Sequence, residues 1–215
     1  HNQNFPESAD SWYNVRNNLL TWRICTMNDE EFMLRLLEGK PVCPFLVAID
    51  GRCTAGKTTL AGLLQRKRSC NVVHMDDFYL PFAKRTPERM AQPGGNMDFE
   101  RLLSEVLLPL KSGAEALYRP YNCHADYFLP AQALSAAIPT VIEGSYSCHP
   151  LLREYYNLRV FLDISPELQA KRLMARNPAA FEAFQTMWIP REESYFSACR
   201  VRKHCDLVLN GSAAE

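Results

Sequence analysis

Two kinds of apolar spacing alternate along this chain. Short, near-continuous runs rich in Val, Ile and Leu occur at Pro44–Asp50, Asn71–Met75, Pro139–Gly144, Leu158–Ile164 and Asp206–Gly211. Most end at a glycine or an acidic residue, as expected for parallel strands buried on both faces. Between them the spacing becomes helical. Thr58–Lys67 turns Leu60, Leu63 and Leu64 inward, and Asp98–Lys111 does the same with Leu102, Leu103, Val106, Leu107 and Leu110. Ser165-Pro166-Glu167 is a helix start with proline in the first turn; that helix runs to about Arg176, where Asn177-Pro178 stops it. A further helical stretch is predicted around Arg191–Arg202, and Asn28-Asp29 can cap a short helix, Glu30–Leu37, covering one face or edge of the sheet. Residues 80–98 hold prolines, a Gly-Gly pair and no periodicity, and read as a lid-like loop. Strands alternating with helices predict a parallel sheet with helices on both faces.

The first strand runs into Gly51-Arg52-Cys53-Thr54-Ala55-Gly56-Lys57-Thr58, and a helix follows. This strand–glycine loop–helix order is the context that a phosphate-binding P-loop requires. The glycines let the backbone wrap close to phosphate, and the freed N–H groups and the helix N-terminus point at the anion. Lys57 supplies charge to the outer phosphates and the Thr58 hydroxyl is a ligand for Mg²⁺. Gly51, Cys53, Thr54, Ala55, Gly56, Lys57, Thr58 and Thr59 are therefore the predicted nucleotide-binding residues. The expected fold is a three-layer α/β/α P-loop domain at 41–215, with a mainly parallel sheet, an acceptor-side excursion at about 80–130 and a lid at about 176–195. Residues 1–40 read as an N-terminal extension with a covering helix. Cys53, inside the loop, reads as a small tolerated residue, and the sharper alternative is a thiol whose pKa the N–H groups and Lys57 lower, making it oxidisable.

Composition narrows the partners. The 215 residues carry 24 Lys and Arg against 24 Asp and Glu, and this zero net charge leaves no footprint for general nucleic-acid or anionic-membrane binding. No run approaches a membrane span, and the N-terminus lacks the basic-then-apolar pattern of a signal peptide. The chain begins at His1 rather than methionine, which suggests a processed or trimmed chain. Eight cysteines without a Cys-x-x-Cys pair read as reduced thiols of a cytoplasmic protein. A homo-oligomer stays open.

Phosphoryl transfer to a hydroxyl needs a carboxylate facing the acceptor and another near the metal. The strand ends supply Asp76 or Asp77 and Glu143, and the open α/β sheet gathers such ends beside the P-loop. Asp163, directly before a helix start, reads as a turn former or cap. Arg172 and Arg176, four apart, project from one helix face.

Val72–Tyr79 with its Asp76-Asp77-Phe78-Tyr79 motif, Asn96-Met97-Asp98, and Val141–Tyr146 with Glu143-Gly144-Ser145-Tyr146 resemble the uridine kinase and phosphoribulokinase group of P-loop kinases. The resemblance runs in order from about residue 43 to 211. It implies an ATP-dependent kinase with a small-molecule hydroxyl acceptor, most plausibly the 5′-hydroxyl of uridine or cytidine. Nicotinamide riboside, pantothenate or a sugar phosphate are alternatives, and a nucleotide-hydrolysing switch is a more distant one. It further implies that Asp76 is the general base, that Asp98 binds sugar hydroxyls, and that Glu143 organises Mg²⁺. Asp77, Tyr79, Tyr121 and His124 fall on the acceptor side, the last two where such kinases contact a nucleobase. Arg172, Arg176 and Arg191 are lid candidates over the phosphates, and the sequence does not rank the first two. Asn177, where an aspartate is usual in this group, departs from the pattern. Lys84, Arg85 and Arg89 could serve a phosphorylated acceptor.

Overall fold

In a computed structural model, which describes Met33 and residues 43–211, the apolar runs become one parallel sheet. Its strands are β1 (Leu46–Gly51), β2 (Asn71–His74), β7 (Thr140–Glu143), β8 (Leu158–Asp163) and β9 (Leu207–Asn210), in spatial order β2-β7-β1-β8-β9. Alternate residues of these strands face opposite sides. Leu46, Ala48, Ile142 and Phe161 enter one core with Leu102, Val106 and Tyr195, whereas Val47, Ile49, Val141, Val160 and Leu162 enter another with Leu60, Ala61 and Leu64. Both faces are covered, so no strand could alternate apolar with polar, which is why the runs read as continuous.

Helix α1 (Lys57–Lys67) covers one face and buries Leu60, Ala61 and Leu64. Leu63, expected inward, is only half-buried, because Ala61 takes that place. Helix α2 runs through Phe99–Leu102, a π turn at Leu103–Leu107 and Leu108–Lys111. The π turn rotates the apolar stripe and leaves Leu103 half-buried while Val106 and Leu107 are buried. Helix α3 (Pro166–Arg176) begins where Ser165 Oγ accepts the Leu168 N–H and ends before Pro178. Helix α4 comprises Phe181–Ala183, a π turn at Phe184–Trp188 and Ile189–Ala198. It therefore starts nearly three turns before the predicted Arg191, and a separate turn, Val201–His204, follows it.

Two segments depart from expectation. Residues 80–98 contain a 3₁₀ turn at Phe82–Lys84 and a helical turn at Pro87–Met90, capped by the Thr86 hydroxyl. Between α2 and β7 lie four unpredicted strands, β3 (Ala116–Tyr118), β4 (Tyr121–Asn122), β5 (Tyr127–Phe128) and β6 (Gln132–Leu134), paired antiparallel as β3–β6 and β4–β5. The helix expected at Glu30–Leu37 lies outside the described residues, apart from the buried Met33.

Candidate active site

The register of the sheet assembles the site. Ile49 pairs with Glu143, and Glu143 pairs with His74, so the ends of β1, β7 and β2 stand side by side. The loop Arg52–Gly56 leaves β1 at Gly51, whose φ of 134° and close approach exclude a side chain: a Cβ there would lie 2.1 Å from the Leu162 carbonyl oxygen. Gly56 has φ 97° and open space where a Cβ would stand, so an anion can approach the loop there. Lys57 Nζ curls back over the loop and donates to the carbonyls of Gly51 (2.7 Å) and Arg52 (2.9 Å), which holds the ammonium at its mouth.

Thr58 Oγ1 donates to Glu143 Oε1 at 3.1 Å. A hydroxyl and a carboxylate side by side are hard oxygen donors that suit Mg²⁺, which takes one or two protein oxygens and completes its shell with phosphate and water. Among the described residues no cluster of three or more His, Cys, Asp or Glu forms a metal site of the all-protein kind. His74 Nδ1 lies 2.6 Å from the same Glu143 Oε1, and this contact raises the imidazole pKa against the opposing effect of burial.

The two aspartates after β2 part company in a 3₁₀ turn, Met75–Phe78. Asp77 Oδ2 accepts the Tyr118 hydroxyl at 3.1 Å. The Asp76 carboxylate has no hydrogen-bond donor among the described residues and faces the open cleft. Its pKa is raised, first because protein surrounds it on its other sides and then by the Glu143 charge, with Lys57, His74 and Arg176 opposing. Burial raises the pKa of Asp77 too, with the Tyr118 bond opposing, so it is the freedom from local bonds that makes Asp76 the better placed of the two to take a proton.

One cleft of about 1060 Å³ joins these groups to the acceptor side. Asp76, Asp77, Tyr79, Tyr121 and His124 all line it, together with Phe82, Arg85, Asn96, Asn122 and Cys123. Tyr121 contributes its ring face, because its hydroxyl is bound to Asp126. Asp98 does not line the cleft. It is buried, accepts the Arg101 N–H at 3.1 Å as a helix cap, and lies 3.3 Å from Lys84 Nζ. Gly51 and Ala55 likewise sit behind the wall.

On the donor side, Arg172, Arg176 and Arg191 line the cleft. Arg172 Nη1 donates to the Gly211 carbonyl at 2.7 Å and lies 3.4 Å from that of Thr54, tying α3 to the phosphate loop. Arg176 and Arg191 lie beside aromatic rings, 5.9 Å from the Phe184 centroid and 5.5 Å from that of Trp188, and Arg176 Nη2 also donates to Cys53 Sγ at 3.9 Å. The sharper alternative for Cys53 is reversed: its thiol pKa is raised, chiefly by burial and then by the Glu192 carboxylate, which outweigh Lys57 and Arg176.

Sequence reasoning missed three groups. Glu192, on α4, accepts the Cys53 N–H at 3.0 Å and the Ser145 hydroxyl at 2.5 Å, and its neighbour Glu193 pairs with Arg52 at 2.6 Å. Asp163 is more than a cap, since it also binds Arg52 and Arg202, each at 2.5 Å. Asp50 is fully buried beneath the loop and accepts the N–H groups of Gly51 (2.7 Å), Tyr146 (3.2 Å) and Cys148 (2.8 Å) and the Tyr195 hydroxyl (2.8 Å). Desolvation raises its pKa from 3.8 to about 6 despite these donors. A charged residue closing a wholly apolar strand was the signal available for it.

The fold and the phosphate loop together define a P-loop α/β domain of the kind found in small-molecule kinases. A structure described as a possible uridine kinase from Bacillus stearothermophilus superposes with a TM-score of 0.61 at 23% identity, covering 84% of this chain and 96% of that one. A protein provisionally described as a fructose transport system kinase, from Silicibacter sp. TM1040, gives 0.60 at 23% identity, over 82% and 98%. In sequence, the chain is 27% identical over 148 residues to a pantothenate kinase of Streptomyces avermitilis, covering 58% of this chain and 45% of that relative, so it matches somewhat under half of its length. No family model matches the chain.

Proposed function

We propose that this protein is an ATP-dependent kinase that transfers the γ-phosphoryl group to a hydroxyl of a small molecule. The observation that carries the reading is the free Asp76 carboxylate in the same cleft as Lys57, Thr58 and Glu143. A nucleotide-binding switch has no use for an unbonded carboxylate with a raised pKa opposite the phosphate loop.

The loop N–H groups and Lys57 bind the phosphates, and Thr58 with Glu143 would hold Mg²⁺. When bound there, Mg²⁺ supplies positive charge that neutralises the phosphate oxygens. Asp76 orients the acceptor hydroxyl and takes its proton. Arg191, which stacks beside the Trp188 ring, can turn toward the transferring group, Arg176 reaches the loop at Cys53 Sγ (3.9 Å), and Arg172 braces the loop. Among the described residues no helix is long and apolar enough to cross a membrane, and we read the setting as cytoplasmic.

The ring faces of Tyr79, Tyr121 and His124 support the 5′-hydroxyl of uridine or cytidine as acceptor. Arg85, on the same wall, favours a second reading, an acceptor with its own negative charge, as in pantothenate or a sugar phosphate.

The test is product formation from ATP–Mg²⁺ and a panel of nucleosides and small alcohols. Asp76→Asn should cut transfer about 10²–10⁴-fold with ATP affinity retained. Unchanged turnover in that variant refutes the base, and ATP hydrolysis without a phosphorylated acceptor refutes the kinase.

A further inference from the structure

We propose that Arg85 recognises an anionic group on the acceptor, so that the molecule phosphorylated here is a small hydroxyl compound bearing a carboxylate or phosphate away from its reacting hydroxyl. The proposal rests on the kinase reading above and, of its two acceptor readings, chooses the charged one over the neutral nucleoside.

The excursion carries three cations close together, and the fold treats them differently. Lys84 Nζ is 3.3 Å from the buried Asp98 carboxylate. Arg89 makes a two-pronged pair with Glu100, 2.8 Å at each nitrogen, and also donates to the Met97 carbonyl at 3.0 Å. Both have a carboxylate partner. Arg85 donates through Nε to the Leu80 carbonyl at 2.8 Å, and its guanidinium lies 4.2 Å from the centroid of the Phe82 ring. These contacts fix the plane of the group. Among the described residues no carboxylate pairs with it, and its two Nη amino groups carry no bond.

A half-buried guanidinium in a cleft wall, pinned in one pose without a counter-ion, suits a planar or phosphate-like anion. Its two outer nitrogens present parallel donors, and the ordering cost is already met by the fold. Asp76, Arg85 and Cys123 line the same cleft. Burial first raises the Cys123 thiol pKa, Asp76 adds to this and Arg85 opposes it, so Cys123 is close to both charges. An acceptor lying across Cys123 would present its hydroxyl to Asp76 and its anionic group to Arg85. In the transfer step the acceptor O–H gives its proton to Asp76, its oxygen bonds to the γ-phosphorus, and the bond from that phosphorus to the bridging oxygen of the departing ADP breaks. The anionic group at Arg85 is unchanged.

Matched acceptor pairs test this with ATP–Mg²⁺: glycerol against glycerate for a carboxylate, ribose against ribose 5-phosphate for a phosphate, and uridine as a neutral nucleoside. The wild-type protein should favour the charged member of at least one pair by about 10–100-fold in kcat/KM, and which pair responds identifies the anion. Arg85→Gln should lower kcat/KM for the charged member by a similar factor, through KM, and much more than for the neutral one. Arg85→Lys should recover only part of it. Equal or better turnover of the neutral members, or an Arg85→Gln effect of the same size on both, overturns the proposal. If none of the compounds is phosphorylated, calorimetric titration of the same compounds into protein saturated with a non-hydrolysable ATP analogue decides, and no preference for charge there also overturns it. The kinase reading fails by a different result, ATP hydrolysis without any phosphorylated acceptor.

Discussion

At the donor end of the cleft the functional groups stand on the sheet; at the acceptor end they stand on an excursion from it. Lys57, Thr58 and Glu143 follow or close strands whose register is fixed by neighbours buried on both faces. Asp50 beneath them and Glu192 beside them bind loop N–H groups, so the loop is held from β1, β7 and α4 together. The acceptor wall is assembled from turns and two-residue ribbons, and it depends on one buried cation. Arg101 donates to the carbonyls of Asp77 (2.5 Å) and Arg119 (2.6 Å), with its guanidinium 4.3 Å from the Phe78 ring centroid and 5.1 Å from that of Phe128. The difference suggests a division of labour. A common phosphate donor needs a rigid cradle, while acceptor choice can vary on short elements without disturbing the sheet.

Four substitutions test that division, and the largest effect belongs to the donor end. Lys57→Met should reduce phosphoryl transfer about 10²–10³-fold and change the melting temperature little, because Lys57 bonds only to loop carbonyls. A comparable fall in thermal stability would show that the lysine holds the loop rather than the phosphate.

Arg101→Met should destabilise the fold by about 3 kcal/mol, since two charge-assisted bonds to buried carbonyls are lost. It should raise the acceptor KM more than the ATP KM. An equal rise in both would mean that the two ends are not separable.

Asp50→Asn should cost about 2 kcal/mol, because each carboxylate oxygen accepts two donors and an amide has one oxygen to offer. Its pH dependence has a definite sign. With a folded pKa of about 6 against an ordinary 3.8, the folded chain holds this proton more tightly than the unfolded chain. The stability that Asp50 contributes therefore grows as pH falls through 6 toward 4 and is lost as pH rises through 6. In Asp50→Asn the slope of unfolding free energy against pH should become more positive in that window by up to about 1.4 kcal/mol per pH unit. Superimposable slopes would contradict the shift.

Tyr121→Phe should have the smallest effect, under about 1 kcal/mol in stability and about twofold in acceptor KM, because the hydroxyl is bound to Asp126 and the ring supplies the wall. A larger rise in KM would return a hydrogen-bonding role to that hydroxyl.

What could be read from the sequence was local. The P-loop is eight consecutive residues, and the five parallel strands announced themselves because double-sided burial makes every position apolar. The start and stop of α3 were also legible, since Ser165-Pro166 and Asn177-Pro178 act on their own backbone. The short ribbons at 116–134 gave no sign, because strands of two or three residues are too brief for a periodicity.

Other features were decided by partners far away in the chain. The residues alone offered Asp76 and Asp77 as equals, and only the family resemblance chose Asp76; in the fold Tyr118, which binds Asp77, separates them. It placed a thiol among N–H groups and a lysine, and could not show that burial, with a carboxylate 139 residues distant adding to it, would reverse the effect on Cys53. It gave Lys84, Arg85 and Arg89 the same charge, and the fold neutralised two of the three. The loop proposed to hold phosphate was legible in the sequence itself, because backbone N–H groups and glycine geometry are properties of contiguous chain. Which carboxylate is free, and which cation, was decided by tertiary structure, because a charge is committed or available only through what the fold packs against it.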